Sequence, residues 1–243
     1  MKTIILSAGQ GRRLLPLTAD TPKCLLQVGE RSVLEWQLHE LQSSGIDQVV
    51  VIVGYGADKV EDHLKQRGHD DWVRTVYNPF YAVADNLGSC WVARHEMLDD
   101  FVLLNGDTLF ESAIPRRLLS SPVQPVTLVT DSKPTYDADD MKVILDGTRL
   151  AKVGKTIPIH ETHGESIGMM AFRDEGPSLF RQAVERALRR PESLKKWYLS
   201  IVDELAQQGQ VWTCAINGLG WGEIDSPADL DYAHTLAERF PSR

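Results

Sequence analysis

The 243-residue sequence predicts an α/β fold built on a mostly parallel mixed sheet with helices on both faces. Three observations predict it. Short runs rich in Val and Ile alternate with stretches of helical periodicity through the first half of the chain. The first of these runs ends directly in a glycine-rich turn. Beyond about residue 123 strand-like runs follow one another with polar segments, rather than full helices, between them. Strands joined by crossover helices lie parallel and are buried on both faces, so they read as continuous apolar runs rather than as alternation.

Taken in order, residues 3–6, 48–53, 73–77 and 101–104 read as buried strands. Between them, 33–44 places Val33, Leu34, Leu38 and Leu41 at helical spacing and stops before Gly45. Residues 57–66 form a second, less apolar helix. A third is expected over 86–97, where a glycine and a serine weaken the helical pattern. Further on, 125–130, 142–145 and 167–172 read as strands, 176–189 and 194–208 as helices, 210–216 as a strand, and a last helix starts near Ser226. No internal repeat or low-complexity linker divides the chain. One domain over 1–243 is expected, with a small β-rich region inserted at about 123–175.

The net charge of -8 argues against general binding to nucleic acid or to an anionic membrane. An anionic substrate must then be held by a local cluster of Lys, Arg and backbone N–H groups. No run reaches the ~18 apolar residues of a membrane span, and the start of the chain lacks the longer apolar stretch of a signal peptide. Cys24, Cys90 and Cys214 are odd in number and widely spaced, as expected for reduced, buried thiols in a cytoplasmic protein. His160, His163 and Glu165 complete no zinc spacing.

The strongest signal is Ser7-Ala8-Gly9-Gln10-Gly11-Arg12-Arg13-Leu14-Leu15-Pro16-Leu17-Thr18, followed by Thr21-Pro22-Lys23-Cys24-Leu25-Leu26. A loop of small residues directly after a strand brings backbone N–H groups against an anion without side-chain interference. Arg13 and Lys23 set two cations beside it. The string is not a P-loop, because no G-x-x-x-x-G-K-[ST] is present. Nor is it a dinucleotide fingerprint: the third glycine position is Leu14, and Pro16 stands where that helix would begin.

The whole string resembles the N-terminal signature of the sugar-phosphate and choline-phosphate nucleotidyltransferases, A-A-G-x-G-[ST]-R-L-x-P-L-T-x-x-x-P-K-x-L-x-x-V. Ser7 and Arg12 are its departures. The resemblance implies a Rossmann-like nucleotidyltransferase (GT-A-like) fold, with the base held over Ala8, Gly9, Gln10 and Gly11. It also implies Arg13 and Lys23 as the catalytic cations on the triphosphate. That assignment agrees with the chemistry, because negative charge builds on the phosphate oxygens as pyrophosphate leaves and fixed cations there lower the barrier.

Two aspartates stand where a ligand is expected. Asp107, in Asn105-Gly106-Asp107, follows a strand, and ligands of open α/β sheets sit beyond the carboxyl ends of strands. Asp225, in Glu223-Ile224-Asp225-Ser226-Pro227, precedes a helix for which Ser226 is the expected N-cap and Pro227 the first helical residue, so Asp225 is free of capping. Asp107 also reads as a turn aspartate that caps a following helix. The pair resembles the family's metal-binding aspartates and implies Mg²⁺, which takes one or two carboxylates with phosphate oxygens and water.

The choice of acceptor rests on weaker features. Asn86-Leu87-Gly88-Ser89 resembles the N-x-x-S pattern of the branch acting on phosphocholine, phosphonates and inositol phosphate with CTP; a plain helix start capped by Asp85 or Asn86 is the alternative. The resemblance places Lys142, Lys155 and Tyr198 at the acceptor, within the inserted region and at the start of the 194–208 helix, and Glu165 reads as a contact to a cationic or hydroxylated acceptor. Lys142 and Lys155 otherwise read as exposed lysines, and Trp197 with Tyr198 as helix core. The expected reaction couples a small phosphate or phosphonate monoester to a nucleoside triphosphate, CTP preferred. Alternatives are uridylyl or thymidylyl transfer to a sugar 1-phosphate, and a catalytically silent nucleotide-binding regulator, against which stands the complete set Arg13, Lys23, Asp107 and Asp225. Oligomeric state is not written in the sequence.

Overall fold

The computed structural model describes residues 1–240. The chain begins with β1 (Lys2–Ser7), passes a two-strand hairpin, β2 (Gln27–Val28) and β3 (Arg31–Ser32), and enters α1 (Val33–Ser43). Then follow β4 (Val49–Val53), α2 (Ala57–Gln66), β5 (Val73–Tyr77), α3 (Asn86–Val92), β6 (Phe101–Asn105), β7 (Thr108–Phe110) and α4 (Ala113–Ser120). The second half runs β8 (Val126–Asp131), β9 (Lys142–Asp146), β10 (Arg149–Gly154), β11 (Gly164–Phe172), α5 (Gly176–Ala187), α6 (Leu199–Gln207), β12 (Val211–Ala215), β13 (Trp221–Glu223) and α7 (Pro227–Ala237).

Nine strands make one sheet, in the order β5-β4-β1-β6-β11-β8-β12-β10-β9. From β5 to β6 every pairing is parallel, as the βαβ rhythm predicts. Beyond β6 the sheet is mixed: β11 runs antiparallel to both β6 and β8, and β12 is parallel to β8. The expected mostly parallel sheet therefore holds for the first half only. Of the 123–175 stretch, β8 and β11 are central strands, while β9 and β10 form a hairpin at the far edge.

Alternate residues of the strands feed two cores. Ile4, Val50, Ile52 and Leu103 meet α3, α5 and α6 on one face. Ile5, Val49, Val51, Val53, Val102 and Leu104 meet α1, α2 and α4 on the other. Each such side chain, taken wholly out of water, contributes about 1.5–3 kcal/mol. A third cluster joins α7 and β7 to Leu14, Leu26, Val28 and Val33, which ties the chain's C-terminal part to the loop after β1.

Several elements depart from the expected ones, among them the helix expected over 194–208, which begins only at Leu199 after a 3-10 turn over Pro191–Lys195. The third helix ends at Val92 and continues only as a 3-10 turn. Asp107 precedes a strand rather than a helix, so it caps nothing. α4 escapes sequence reading because Pro115 falls in its first turn, where a missing N–H is harmless.

Candidate active site

β1 and β6 are hydrogen-bonded neighbours, with Leu6 opposite Asn105, so the loops leaving their carboxyl ends emerge side by side. Close contact between them demands glycine: a Cβ on Gly106 would lie 2.1 Å from Ser7 Oγ and 2.6 Å from the Leu6 carbonyl oxygen. Gly11 has φ +71°, and the stem of Lys23 lies across it, where a Cβ would stand 2.9 Å from Lys23 Cδ. The glycine thus sets the path of the lysine. Thr18, fully buried, fixes the loop by donating to the Gly11 carbonyl at 2.9 Å.

Lys23 Nζ donates to Asp107 Oδ2 and to Asp225 Oδ1, both at 2.7 Å. Asp225 arrives because β13 pairs antiparallel with β7 and Ile224 N–H donates to the Asp107 carbonyl at 3.0 Å. Ser226 caps α7 in a reciprocal capping box with Asp229, and Pro227 opens the helix, as the sequence predicts. Asp225 is left free to face Lys23 and, through Oδ2, Arg13 Nη2 at 2.7 Å. Gln37, wholly buried on α1, donates to the carbonyls of Asn105 and Thr108 at 2.9 and 2.8 Å and so braces the turn that carries Asp107.

Burial alone would lower the Lys23 pKa, but Asp107 and Asp225 together override it and raise it. For Asp225, burial would raise the carboxyl, and Lys23 and Arg13 hold it below its usual range. A third carboxyl, Glu223, is pushed up to about 8 by burial first and by Asp107 and Asp225 next. Burial and the two neighbouring aspartates thus favour its protonated form, while Asp107 and Asp225 face the two cations. Asp107 Oδ1 is buried and has no hydrogen-bond partner. Such an orphan oxygen beside a second carboxylate suits a hard divalent cation. Among the described residues no three His, Cys, Asp or Glu side chains converge to form a complete metal cage. Two carboxylates completed by phosphate oxygens and water would suffice for Mg²⁺.

Two cavities flank the glycine loop, one of them over this cluster. One of about 340 Å³ is lined by Gly9, Gly11, Arg13, Lys23, Asn105 and Asp107. The other, about 370 Å³, is lined by Ala8, Gly9, Gln10, Arg12, Asn86 and Ser89. Leu6, Gly9, Asp85 and Asn86 border both. The two acceptors expected to read a nucleotide already have protein partners: Asn86 Oδ1 accepts from Tyr198 N–H at 2.9 Å and Ser89 Oγ from Asn78 Nδ2 at 3.0 Å.

The expected acceptor residues are spread more widely. Lys155 Nζ lies 3.0 Å from Asp139 Oδ1 and 4.5 Å from the Trp197 ring centroid. Lys142 is buried and donates to the carbonyls of Asp137 and Asp140 at 2.6 and 3.3 Å. Glu165 lies buried beneath Lys133, which is 3.0 Å from it and 2.8 Å from Asp140. One ammonium serves both carboxylates. The Asp140 pKa is lowered, Lys133 outweighing the opposing effect of burial, while burial pushes Glu165 up to about 7.

Tyr198 is corrected: its ring is wholly buried in the core just before α6, so it meets no acceptor directly. Its hydroxyl donates to Asn105 Oδ1 at 2.9 Å, and it links the start of α3 to the Asp107 turn. Its exposed neighbour is Trp197. Sequence reading also missed Glu223 and Gln37. Glu223 stands in the quoted Glu-Ile-Asp stretch, two residues from Asp225; Gln37 has no local signal. Cys24, Cys90 and Cys214 are all free and buried, with pKa values raised by burial.

A glycine loop and Asp107 at the carboxyl ends of a Rossmann-like sheet, joined by Asp225 from the β7–β13 pair, define a nucleotide-handling α/β protein. Residues 3–189 match the MobA-like NTP transferase domain, and the chain belongs to that family. It is 36% identical over 121 residues to the choline-phosphate cytidylyltransferase of Streptococcus pneumoniae, a match covering 50% of this chain and 51% of that one. Over 238 residues it is 29% identical to the CMP-5'-(3-aminopropyl)phosphonate synthase of Streptomyces rubellomurinus, covering 94% of this chain and 37% of that one. The chain thus spans about half the length of the first of these curated relatives and little more than a third of the second. The inositol-1-phosphate CTP transferase of T. maritima shares the fold, with a TM-score of 0.81 at 20% identity over 99% of this chain and 98% of that one. No helix among the described residues is long and apolar enough to cross a membrane.

Proposed function

We propose that this chain is a Mg²⁺-dependent cytidylyltransferase that couples a small phosphate or phosphonate monoester to CTP and releases pyrophosphate. One observation carries the reading: Lys23 bridges Asp107 and Asp225 at 2.7 Å each, directly beside the glycine loop. An oxygen of the monoester attacks the α-phosphorus of CTP, the bond from that phosphorus to the bridging oxygen breaks, and pyrophosphate leaves with the electron pair. Lys23 and Arg13 hold the triphosphate and meet the charge that grows on its oxygens, which lowers the barrier in proportion to how much more tightly they hold the transition state than the ground state.

A magnesium ion held by Asp107 and Asp225 would supply further charge neutralisation and fix the geometry of the triphosphate. Ala8, Gly9, Gln10 and Gly11 hold the base through backbone groups and one amide, with Asn86 and Ser89 at the wall of the same cavity. Lys155, Lys142 and Glu165 belong to the acceptor side, in the 123–175 region. Of these, Lys142 and Glu165 would act by shaping it. A cytoplasmic setting goes with three free thiols.

The relatives named for choline phosphate and for a phosphonate support CTP and a small acceptor. A pocket built to hydrogen-bond the cytosine amino group leaves polar partners unpaired with uracil, at about 1–3 kcal/mol per buried group. CTP is expected over UTP by at least about tenfold in kcat/KM. Pyrophosphate release with four triphosphates against phosphocholine, aminoethylphosphonate, inositol-1-phosphate and hexose-1-phosphates is the test. Preference for UTP or dTTP with a hexose-1-phosphate would replace this reading with sugar activation; no release with any pair would favour a silent nucleotide-binding regulator.

A further inference from the structure

Asp139 lies between β8 and β9 and is the most exposed member of the site's charged network, with 70% of its side chain open. Both of its oxygens are nevertheless engaged by cations from distant parts of the chain. Oδ1 is 3.0 Å from Lys155 Nζ, and Oδ2 is 3.2 Å from Arg13 Nη1. Lys155 and Arg13 together hold the Asp139 carboxyl below its ordinary range. A carboxylate bridging two cations occupies a place shaped for an anion.

The segment that carries Asp139 is firmly tied. Asp137 Oδ1 accepts from the backbone N–H groups of Asp139 and Asp140 at 2.7 and 3.1 Å, and Asp137 N–H donates to Asp140 Oδ2 at 2.7 Å. The buried Lys142 ammonium clamps the segment from below through the carbonyls of Asp137 and Asp140. The backbone is thereby held and the Asp139 carboxylate presented outward, free to leave by side-chain rotation alone.

We propose that Asp139 is a specificity-determining residue, whose carboxylate holds the place of the acceptor's phosphate or phosphonate head between Arg13 and Lys155 and yields it to a dianion. This rests on the transferase reading above. The acceptor's head, rather than the triphosphate, belongs there because Lys155 borders neither cavity over the glycine loop, whereas Arg13 lines the one that holds Lys23 and Asp107. The site thus runs from the triphosphate cations out to Lys155. A monoanion brings no more charge than the tethered carboxylate it must displace. A dianion brings more, and exposed ion pairs are weak, each changing an equilibrium by no more than about fivefold, so displacement is easy. Asp139 then filters acceptors by charge.

The test compares the unaltered protein with Asp139→Asn, using titration calorimetry with inorganic phosphate at pH 8, with methyl sulfate as a monoanion, and with CTP. In the variant, phosphate is expected to bind about three- to tenfold tighter, methyl sulfate to become a measurable ligand, and CTP affinity to rise by less than phosphate affinity, because CTP shares only Arg13 with Asp139. Unchanged or weaker phosphate binding would overturn the proposal, as would tighter CTP binding without tighter phosphate binding, which would assign the place to the triphosphate. Because anion binding is read at equilibrium without turnover, its failure is distinct from failure of the transferase reading, which the pyrophosphate assay decides.

Discussion

Replacing Lys23 with methionine removes the ammonium that joins Asp107 to Asp225 but keeps the stem that packs over Gly11. Each contact is 2.7 Å long, and the Lys23 side chain is only 11% exposed. A pair of unit charges at about 4 Å interacts by roughly 4 kcal/mol at an effective dielectric of 20. The variant escapes the cost of burying the ammonium, and Arg13 still serves Asp225, so the net loss is much smaller than two such pairs. Breaking a buried pair costs about 3–5 kcal/mol, and here the carboxylates are 27% and 31% exposed, which brings the expectation to about 2–3 kcal/mol. For a chain of this size that is a fall in Tm of about 4–12 °C.

The sign with pH follows from the shifts. The Lys23 pKa is raised, so its contribution is complete below 10.5 and lost as pH climbs through the higher folded value. The Asp225 pKa is lowered, so its contribution is complete above 3.8 and lost as pH falls through the lower folded value. The deficit of Lys23→Met should therefore be flat across about pH 5–7 and widen as pH rises through about 8, where Glu223 ionises with Lys23 present to favour its charged form. Lys23 also occupies an oxygen of each carboxylate that magnesium would use. Mg²⁺ should then raise the Tm of the variant more than that of the unaltered protein, while kcat falls, since the ammonium matters most as charge grows on the transferring group. Thermal melts in EDTA and in Mg²⁺, with single-turnover rates, measure all three. An unchanged Tm in EDTA would refute the energetic coupling, and an equal or smaller magnesium shift in the variant would refute metal binding by these two aspartates.

Two further substitutions probe the same framework. Gly11→Ala forces a side chain into φ +71° and sets its Cβ 2.9 Å from Lys23 Cδ, so activity should fall at least about tenfold with about 1–2 kcal/mol of stability lost; a variant with full activity would show that the lysine's path is unimportant. Glu165 titrates near 7 rather than 4.5 because it is buried, so the stability tied to its protonated form is complete below 4.5 and lost as pH rises through about 7. Urea melts of Glu165→Gln should show the variant gaining on the unaltered protein by about 1–3 kcal/mol between pH 5 and pH 8, and a difference independent of pH would mean that Glu165 ionises normally.

Read without any structure, the sequence determined the parts of this protein that local chemistry controls. The β-branched runs of β1, β4, β5 and β6, the glycine turn after β1 and the Ser226-Pro227 helix start are each decided by a few neighbouring residues, and each lies where it was expected. The family signature named Lys23, Asp107 and Asp225 one by one. That they meet was decided only by the tertiary structure. Lys23 is 84 residues from Asp107 and 202 from Asp225, and the pairing of β7 with β13 brings the two aspartates together. The same dependence explains the misreadings. The resemblance places Tyr198 at the acceptor, with helix core as the alternative, and the packing of the start of α6 on the sheet turns its ring into the core. The raised pKa of Glu223 and the pairing of Asp139 with Arg13 and Lys155 have no local signal, since a carboxylate's charge state and partner are set by burial and by cations that distant parts of the chain deliver. Strand and turn propensities act over a few residues, whereas electrostatic fields and burial exist only once the sheet is assembled.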